Sequence, residues 1–368
     1  MIIKRFCAES FRNIEKCNIE FSPGVNLIHG KNAEGKTNAI EGLYIFSRGK
    51  SFRAREDKEL VSFGKDGFHI SIEYQDKNGN ESLEYSLFGR ERRRKKNGYR
   101  ISKVTDMIGN FRTVLFFPDD LGLVKMGPDE RRSFLNVAIS QCYPSYLKFY
   151  SDYKSALDNR NSILKNASKG LYYDRRELEA WSFMMAEYAS DIYLFRKNYV
   201  KKLEYCAKSV MNDISLGKEE ISLSYKCDIE DSSDKEEVKS LYREKLTSNL
   251  EREKNVGQSL YGVHRDDLEI IINGKAARYF ASQGQQRSAV LSLKLAEGEV
   301  SREICGEYPV FLFDDVLSEL DEDRRKYILN GNGERQIIIT SCESDEMIEY
   351  ASNVIEVRGG SYVSSYRK

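Results

Sequence analysis

The sequence has 368 residues, a length that allows two domains or one domain with a large insertion. Basic and acidic residues balance at 58 each, and this zero net charge excludes a protein that coats nucleic acid through bulk charge. No apolar run reaches the roughly 18–20 residues that a membrane helix requires. The seven cysteines form no C-x-x-C pair, which disfavours a zinc ribbon or a secreted disulfide scaffold. We therefore expect a cytoplasmic globular protein with no membrane partner.

The first region, residues 1–128, carries strand patterns around one helical segment. Alternating apolar and polar residues indicate strands, and Asn-Gly pairs between such runs indicate tight hairpin turns. In chain order, the predicted elements are strands over Ile2–Ala8, Lys16–Phe21 and Val25–His29, a helix over Lys36–Phe46, and a strand-rich stretch over 68–117 with turns at Asn78-Gly79 and Asn97-Gly98.

The rest of the chain is predicted to form a helical lobe followed by more of an α/β lobe. Over 129–255, glycine and proline nearly vanish and apolar residues recur at helical spacing, which predicts an inserted helical lobe. The predicted fold class is therefore α/β, with a mixed sheet built from both chain ends and no long coiled coil. The elements predicted over 256–368 are a strand at Leu268–Ile272, a long helix at Gln286–Cys305, and buried parallel strands at Val310–Phe313 and Gln336–Thr340.

A phosphate-binding loop follows the third predicted strand. The segment satisfies G-x-x-x-x-G-K-[ST] at every fixed position, between a strand and a helix. Its glycines let backbone N–H groups surround a phosphate, its lysine neutralises phosphate charge, and its hydroxyl suits Mg²⁺. A chance glycine turn is the alternative, and the strand–loop–helix context disfavours it. The predicted nucleotide ligands are Gly30, Lys31, Asn32, Ala33, Glu34, Gly35, Lys36 and Thr37, with Lys36 also catalytic and Thr37 also a metal ligand.

Two acidic residues, Asp314 and Asp315, directly follow the predicted buried strand Val310–Phe313. The carboxyl end of such a strand is where α/β proteins bind ligands. Because a phosphate loop is present, Asp314 is predicted to hold Mg²⁺ and Asp315 to position the attacking water. The alternative is that the acid pair simply opens the next turn.

A polar turn, Ser282-Gln283-Gly284-Gln285-Gln286-Arg287, precedes the long C-terminal helix. It resembles the signature motif of ABC-type ATPases, although Ser282 also suits an ordinary helix N-cap. Asp314 follows Ser282 by 32 residues, and Ser318-Glu319-Leu320-Asp321 then resembles the D-loop of the same class. Three motifs in this order indicate an ABC-type ATPase head.

Five further segments indicate which kind of ABC-type ATPase head the chain resembles. They are Ser10–Asn13, Gly49–Arg53, Phe116–Leu121, Gly262–Leu268 and Gly284–Arg287. In these segments the chain resembles the bacterial RecF family, which is related to SMC-type heads. Lys36 and Asp314 are separated by 278 residues, much of them strand-like, so the coiled coil of an SMC protein is not expected.

This resemblance implies a homodimer, dependent on ATP and Mg²⁺, in which two heads enclose two nucleotides. Ser282 and Gly284 would then contact the γ-phosphate bound by Lys36 of the partner subunit. The further nucleotide contacts that the resemblance implies are Arg12, Asn13, Gln285 and Asp321.

The resemblance also implies a function in recombinational repair, replication restart and the SOS response to DNA damage. The protein would bind gapped, single-stranded or duplex DNA and help to load recombinase together with RecO and RecR. A transporter ATPase subunit and an SMC-like architectural head are the alternatives.

Two departures from transporter ATPases predict a weak, DNA-stimulated ATPase whose slow turnover acts as a release switch. Asp315 replaces the usual catalytic glutamate and is one methylene shorter, so it positions water less well. Thr340-Ser341 stand where a switch histidine is expected, and the Thr340 hydroxyl is predicted to hydrogen-bond the γ-phosphate.

A basic run lies beside the Asn97-Gly98 turn, where six of the seven residues 90–96 are Arg or Lys. Positive charge near a hairpin tip suits phosphate contacts, which are sequence-neutral and sensitive to salt. A solvated charged face is the equally open alternative. The predicted DNA contacts are Arg92, Arg93, Arg94, Lys95 and Lys96.

His264 and Arg265 have two interpretations. Either His264 is buried beside an arginine that pairs with Asp266 or Asp267, or both residues lie near the nucleotide or the dimer surface. The other two histidines are interpreted as strand residues, so no transition-metal site is predicted.

Overall fold

The protein is described from a computed structural model that covers residues 1–330, 334–342 and 345–367. It divides into two compact units. The first consists of Met1–Leu121, Ser209–Lys218 and Arg287–Lys368, and the second of Gly122–Lys208 and Glu219–Gln286. Over the described part of the chain, no helix is long and apolar enough to cross a membrane.

The helices and strands follow one another in an order close to the predicted one. Up to Phe116 they are β1 Ile2–Phe11, β2 Ile14–Glu20, β3 Val25–His29, α1 Lys36–Arg48, β4 Gly67–Asp76, β5 Gly79–Phe88, β6 Glu91–Lys96, β7 Tyr99–Ile101 and β8 Thr113–Phe116. Up to Phe280 they are α2 Gly122–Lys125, α3 Pro128–Cys142, α4 Pro144–Ser168, α5 Arg175–Ser215, β9 Ile221–Lys226, α6 Lys235–Ser248, α7 Leu250–Val256, β10 Asp267–Ile272, β11 Lys275–Ala276 and α8 Ala277–Phe280. The last elements are α9 Gln283–Cys305, β12 Val310–Asp314, α10 Glu322–Leu329, β13 Ile337–Ser341, α11 Asp345–Ile348, β14 Asn353–Arg358 and β15 Ser361–Arg367.

The first unit contains two six-stranded sheets. One is antiparallel, in the order β2-β1-β4-β5-β6-β7. The other, in the order β15-β14-β3-β13-β12-β8, is parallel except for the antiparallel edge strand β15. Strands β12 and β13 are buried at every position, as their apolar runs predicted. The predicted mixed sheet from both chain ends is confirmed.

Two glycines allow helices to pack closely against strands of the first unit, one in each of its sheets. A Cβ atom on Gly42 of α1 would lie 2.5 Å from the Phe6 ring of β1, and one on Gly298 of α9 would lie 2.2 Å from the Phe311 ring of β12. Val310 and Leu312 belong to the core that contains α1, whereas Phe311 points towards α9. Alternate residues of β12 therefore pack on different helices, which explains why the whole strand is apolar.

The second unit is mainly helical but includes a three-stranded sheet, β11-β10-β9. Strand β9 lies inside the predicted helical lobe and was not predicted, although the alternation of Ile221 and Leu223 with serines is typical of a strand. Because β9 pairs with β10, residues 256–286 belong with the second unit. The unit boundaries at 121/122 and 286/287 thus differ from the predicted ones at 128/129 and 255/256.

His264 is partly buried in the second unit, and this burial lowers the pKa of its ring to about 4. Its ring hydrogen-bonds to the Tyr153 hydroxyl at 2.6 Å and faces the Ser259 carbonyl at 3.2 Å. One of the two interpretations paired Arg265 with Asp266 or Asp267, and that pairing is not found: Arg265 donates to the Ser259 carbonyl. The two acids are bound by arginines distant in sequence, Arg196 and Arg131 respectively.

Candidate nucleotide-binding site

The phosphate loop between β3 and α1 adopts a conformation that its glycines make possible. Gly35 has a φ of 115°, and a Cβ on Gly30 would lie 2.5 Å from the Val357 carbonyl of β14. The β14–β15 hairpin also holds the loop from outside, because Gly360 N donates to the Glu34 carbonyl at 2.9 Å. The Tyr362 hydroxyl donates to the Gly35 carbonyl at 2.7 Å. These contacts fix the loop backbone on which phosphate binding depends.

The Lys36 ammonium lies inside the loop, and the residue is only 6% exposed. It donates to the carbonyls of Gly30 at 2.7 Å and Lys31 at 3.0 Å, and it contacts the Cys342 thiol at 3.1 Å. All of these partners are neutral. Among the residues that the structure describes, no carboxylate is paired with this ammonium, which suits a group that binds a phosphate.

The predicted metal-binding pair is assembled at the carboxyl end of β12. The Thr37 hydroxyl donates to Asp314 Oδ1 at 2.9 Å, although the two residues are far apart in sequence. Burial raises the pKa of Asp314, while hydrogen bonds from Thr340 and Thr37 act to lower it. A hydroxyl and a carboxylate oxygen on neighbouring elements fit Mg²⁺, which takes one or two protein oxygens and completes its shell with phosphate and water.

Asp315 and Thr340 occupy different positions around this carboxylate. Asp315 has a φ of 54° and lines the cavity beside the loop. Thr340 is 1% exposed; its hydroxyl donates to Asp314 Oδ1 at 2.7 Å and accepts from the Asp315 amide at 3.0 Å. Thr340 thus fixes the carboxylate of Asp314 and the backbone of Asp315, and Asp315 is the acid that is exposed at the cavity.

A cavity of about 380 Å³ adjoins the phosphate loop. Its loop side is formed by Asn32, Ala33, Gly35, Lys36 and Thr37, and its other side by Asn13, Asn38, Arg53 and Asp315. The predicted contact Asn13 is therefore placed at the cavity. Arg12 is turned away from it: its guanidinium donates to Glu41 and to the Glu59 carbonyl.

The signature turn and the D-loop residue act locally as helix caps. Ser282 Oγ accepts from the Gln285 amide at 3.2 Å, and the Gln285 side chain accepts from the Ser282 amide at 3.0 Å. This reciprocal pair starts α9 as a capping box. A Cβ on Gly284 would meet no atom closer than 4.0 Å, so its surface is open. Asp321 caps α10 by accepting from the Arg324 amide at 2.9 Å.

Each of the five predicted DNA contacts on β6 has a partner within the chain. Arg92 pairs with Asp57, Arg93 with Glu91, Lys95 with Glu84 and Lys96 with Glu81, while Arg94 lies over the Tyr85 ring. The strand alternates, so the run is divided between the two faces of the sheet. The four carboxylates lower the net positive charge of this region below what its five basic residues alone suggest.

Known proteins resemble this chain over nearly its whole length. The sequence profile of the RecF/RecN/SMC N-terminal domain matches residues 2–363. The DNA replication and repair protein RecF of Clostridioides difficile strain 630 is 39% identical over 351 residues, which are 93% of this chain and 92% of that protein. The RecF of Ruminiclostridium cellulolyticum is 36% identical over 367 residues, 98% of both chains. This chain belongs to the RecF family.

Solved structures agree with the family assignment. The structure described as the recombination mediator protein RecF with ATP in the RecFOR pathway superposes with a TM-score of 0.92 at 32% identity, covering 99% of this chain and 98% of that one. The Smc head domain of Pyrococcus furiosus has a TM-score of 0.58 at 18% identity and shares the fold. The predicted ABC-type head of the RecF kind is confirmed, and the assignment favours it over a transporter subunit or an architectural head.

Three residues at the site of this RecF-family chain were not predicted to bind nucleotide. Arg53 ends one of the segments that carry the family resemblance, and it lines the cavity. Cys342 contacts Lys36 and also Asn32, with its sulfur 2.7 Å from Asn32 Oδ1. Tyr362 holds the loop from the last strand. The spacing of residues in the sequence could not predict these three contacts, because each joins segments that only the folded structure brings together.

Proposed function

We propose that this chain is an ATP-dependent DNA-binding protein of recombinational repair and replication restart. It would dimerise around ATP on gapped or duplex DNA in the cytoplasm and act with RecO and RecR to load recombinase. This proposal rests mainly on the cavity that Lys36 and Thr37 line together, where the Thr37 hydroxyl also donates to Asp314. A RecF relative of the same fold is described with ATP, which supports ATP as the ligand here.

The residues at the cavity would have separate functions in ATP binding and in hydrolysis. Lys36 and the loop amides would bind the β- and γ-phosphates, and Thr37 with Asp314 would hold Mg²⁺, which neutralises phosphate charge when bound. Asp315 would orient the attacking water. Because an aspartate reaches less far than a glutamate, we expect slow, DNA-stimulated hydrolysis that serves to release the dimer.

The open turn at the start of α9 would complete the partner subunit's nucleotide site. Ser282, Gly284 and Gln285 present a helix N-terminus, which favours an anion. Gly284 carries no side chain, and the nearest atom to a Cβ placed there is 4.0 Å away, which suits close approach of a phosphate. Asp321 would lie at the same interface, and the DNA would contact β6 and the exposed arginines beside it.

Sedimentation velocity with ATP, Mg²⁺ and a gapped duplex tests this proposal. The wild-type chain should dimerise with ATP and then retain the DNA. Lys36→Ala should lose ATP binding and dimerisation together, whereas Gly284→Asp should bind ATP and remain monomeric. If wild type stays monomeric and free of DNA while ATP is bound, the homodimer proposal fails.

A further inference from the structure

A buried acid on α1 has no role in the chemistry proposed so far. Glu41 lies four residues after Thr37, so both side chains project from the same side of the helix. The Glu41 side chain is 0% exposed. A carboxylate in such a position is costly unless cations and hydrogen-bond donors surround it.

Two arginines and a serine supply those donors. Arg12 binds the carboxylate through Nε at 2.9 Å and Nη2 at 2.7 Å, and Arg53 binds it through Nη2 at 2.5 Å. The Ser51 hydroxyl donates to the same group. Burial acts to raise the pKa of Glu41, but these hydrogen bonds outweigh burial and lower it. Glu41 therefore remains ionised.

The two arginines have different surroundings. The remaining Arg12 contact goes to the Glu59 carbonyl, so its guanidinium joins Glu41 to the chain after α1. Arg53 instead lines the nucleotide cavity, and its charge acts to lower the pKa of Asp314. Glu41 thus anchors one arginine that faces the fold and one that faces the cavity.

We propose that Glu41 is a positioning residue that holds Arg53 at the nucleotide cavity as a second cation beside Lys36. This inference rests on the proposed ATP binding. An arginine loses considerable rotamer freedom when it is ordered, so a buried anchor lowers the cost of presenting it to a phosphate. Ser51 strengthens the anchor, because its hydroxyl also accepts from the amides of Arg53 and Ala54 at 2.8 Å.

The test is the ATPase KM and kcat of wild type, Glu41→Gln, Arg53→Gln and the double variant. Each single variant should raise KM by about 10-fold, the worth of a charge-assisted hydrogen bond, and change kcat by less than about 3-fold. The double variant should match the larger single effect, because both changes remove the same interaction. Arg53→Lys should recover part of the affinity.

Glu253→Gln is the matched control. Glu253 is also 0% exposed and pairs with Arg160 at 2.6 Å, but both belong to the second unit. It should lower the melting temperature and leave KM unchanged, which separates positioning from general loss of stability.

Several results would overturn the inference. An unchanged KM in folded Glu41→Gln, or single effects that multiply in the double variant, would show that Glu41 does not act through Arg53. If Glu41→Gln does not fold, an unchanged KM in Arg53→Gln is decisive alone. Failure of wild type to bind ATP would instead defeat the proposed function itself.

Discussion

The phosphate loop and strand β6 are both predicted from the sequence to bind phosphate. In the structure, however, their cations have different partners. Lys36 is bound by two carbonyls and a thiol, all neutral. Arg92 and Arg93 are bound by carboxylates, at 2.5 and 2.8 Å. A neutral partner fixes a cation and leaves its whole charge for a ligand, whereas a carboxylate that pairs with one cation alone cancels most of that charge. Glu41 differs from both cases, because its single negative charge is shared by Arg12 and Arg53.

This difference indicates that phosphate binding by a cation depends more on the cation's intramolecular partner than on the local density of positive charge. The loop contributes one buried lysine, and β6 contributes five basic residues in six. The single lysine nevertheless faces an open cavity, while the five on β6 have intramolecular partners. We therefore expect the loop to dominate the protein's anion binding.

The largest effect should come from removing the loop cation. Lys36→Ala should weaken ATP binding by roughly 100-fold or more, because a buried charge–phosphate contact is lost from a desolvated site. Titration with a fluorescent ATP analogue measures this directly. The Arg92, Arg93 and Arg94→Ala triple variant should bind ATP like wild type. Equal loss in both variants would remove the distinction between the two regions.

Alkylation of Cys342 should have the next largest effect. None of the seven cysteines, all of which the structure describes, forms a disulfide, and Cys342 alone among them is exposed. Its sulfur lies beside Lys36 and Asn32, so an N-ethylmaleimide adduct would occupy the phosphate space. We expect ATP affinity to fall by at least about 10-fold, and ATP to protect the thiol. Peptide mass spectrometry follows the labelling, and Cys342→Ser should abolish the sensitivity. Labelling at the same rate with and without ATP would contradict the cavity's assignment.

The sequence predicted the loop well because its local signals agree with each other. Val25–His29, the glycines and the helix at Lys36 are contiguous, and the apolar run before Asp314 identifies a buried strand. The contacts that distinguish β6 and Cys342 could not be predicted in the same way. Asp57 is 35 residues from Arg92, and Cys342 is 306 residues from Lys36. Such pairs are brought together by sheet register and loop placement, which no short motif encodes.

A smaller effect is expected from the two exposed arginines that flank β6. Arg90 and Arg100 form no ion pair within the part of the chain that the structure describes. Each can therefore release about one counterion on binding DNA, so Arg90→Ala with Arg100→Ala should reduce the slope of log K against log[salt] by about two. Fluorescence anisotropy with a gapped duplex at several salt concentrations measures this slope. An unchanged slope would place the DNA elsewhere.

The smallest effect should come from the β6 arginines themselves. Replacing Arg92, Arg93 and Arg94 with Ala should flatten the salt slope by less than about one, because Asp57 and Glu91 already neutralise two of these charges. The double variant Asp57→Asn with Glu91→Gln tests the opposite change, because it removes the two carboxylates and keeps the arginines. Freed from carboxylates, Arg92 and Arg93 should steepen the slope by up to about two. The triple variant could instead reduce the salt slope as much as Arg90→Ala with Arg100→Ala does. That result would mean that the ion pairs on β6 open when DNA binds. Intramolecular partners would then not determine which cations bind phosphate.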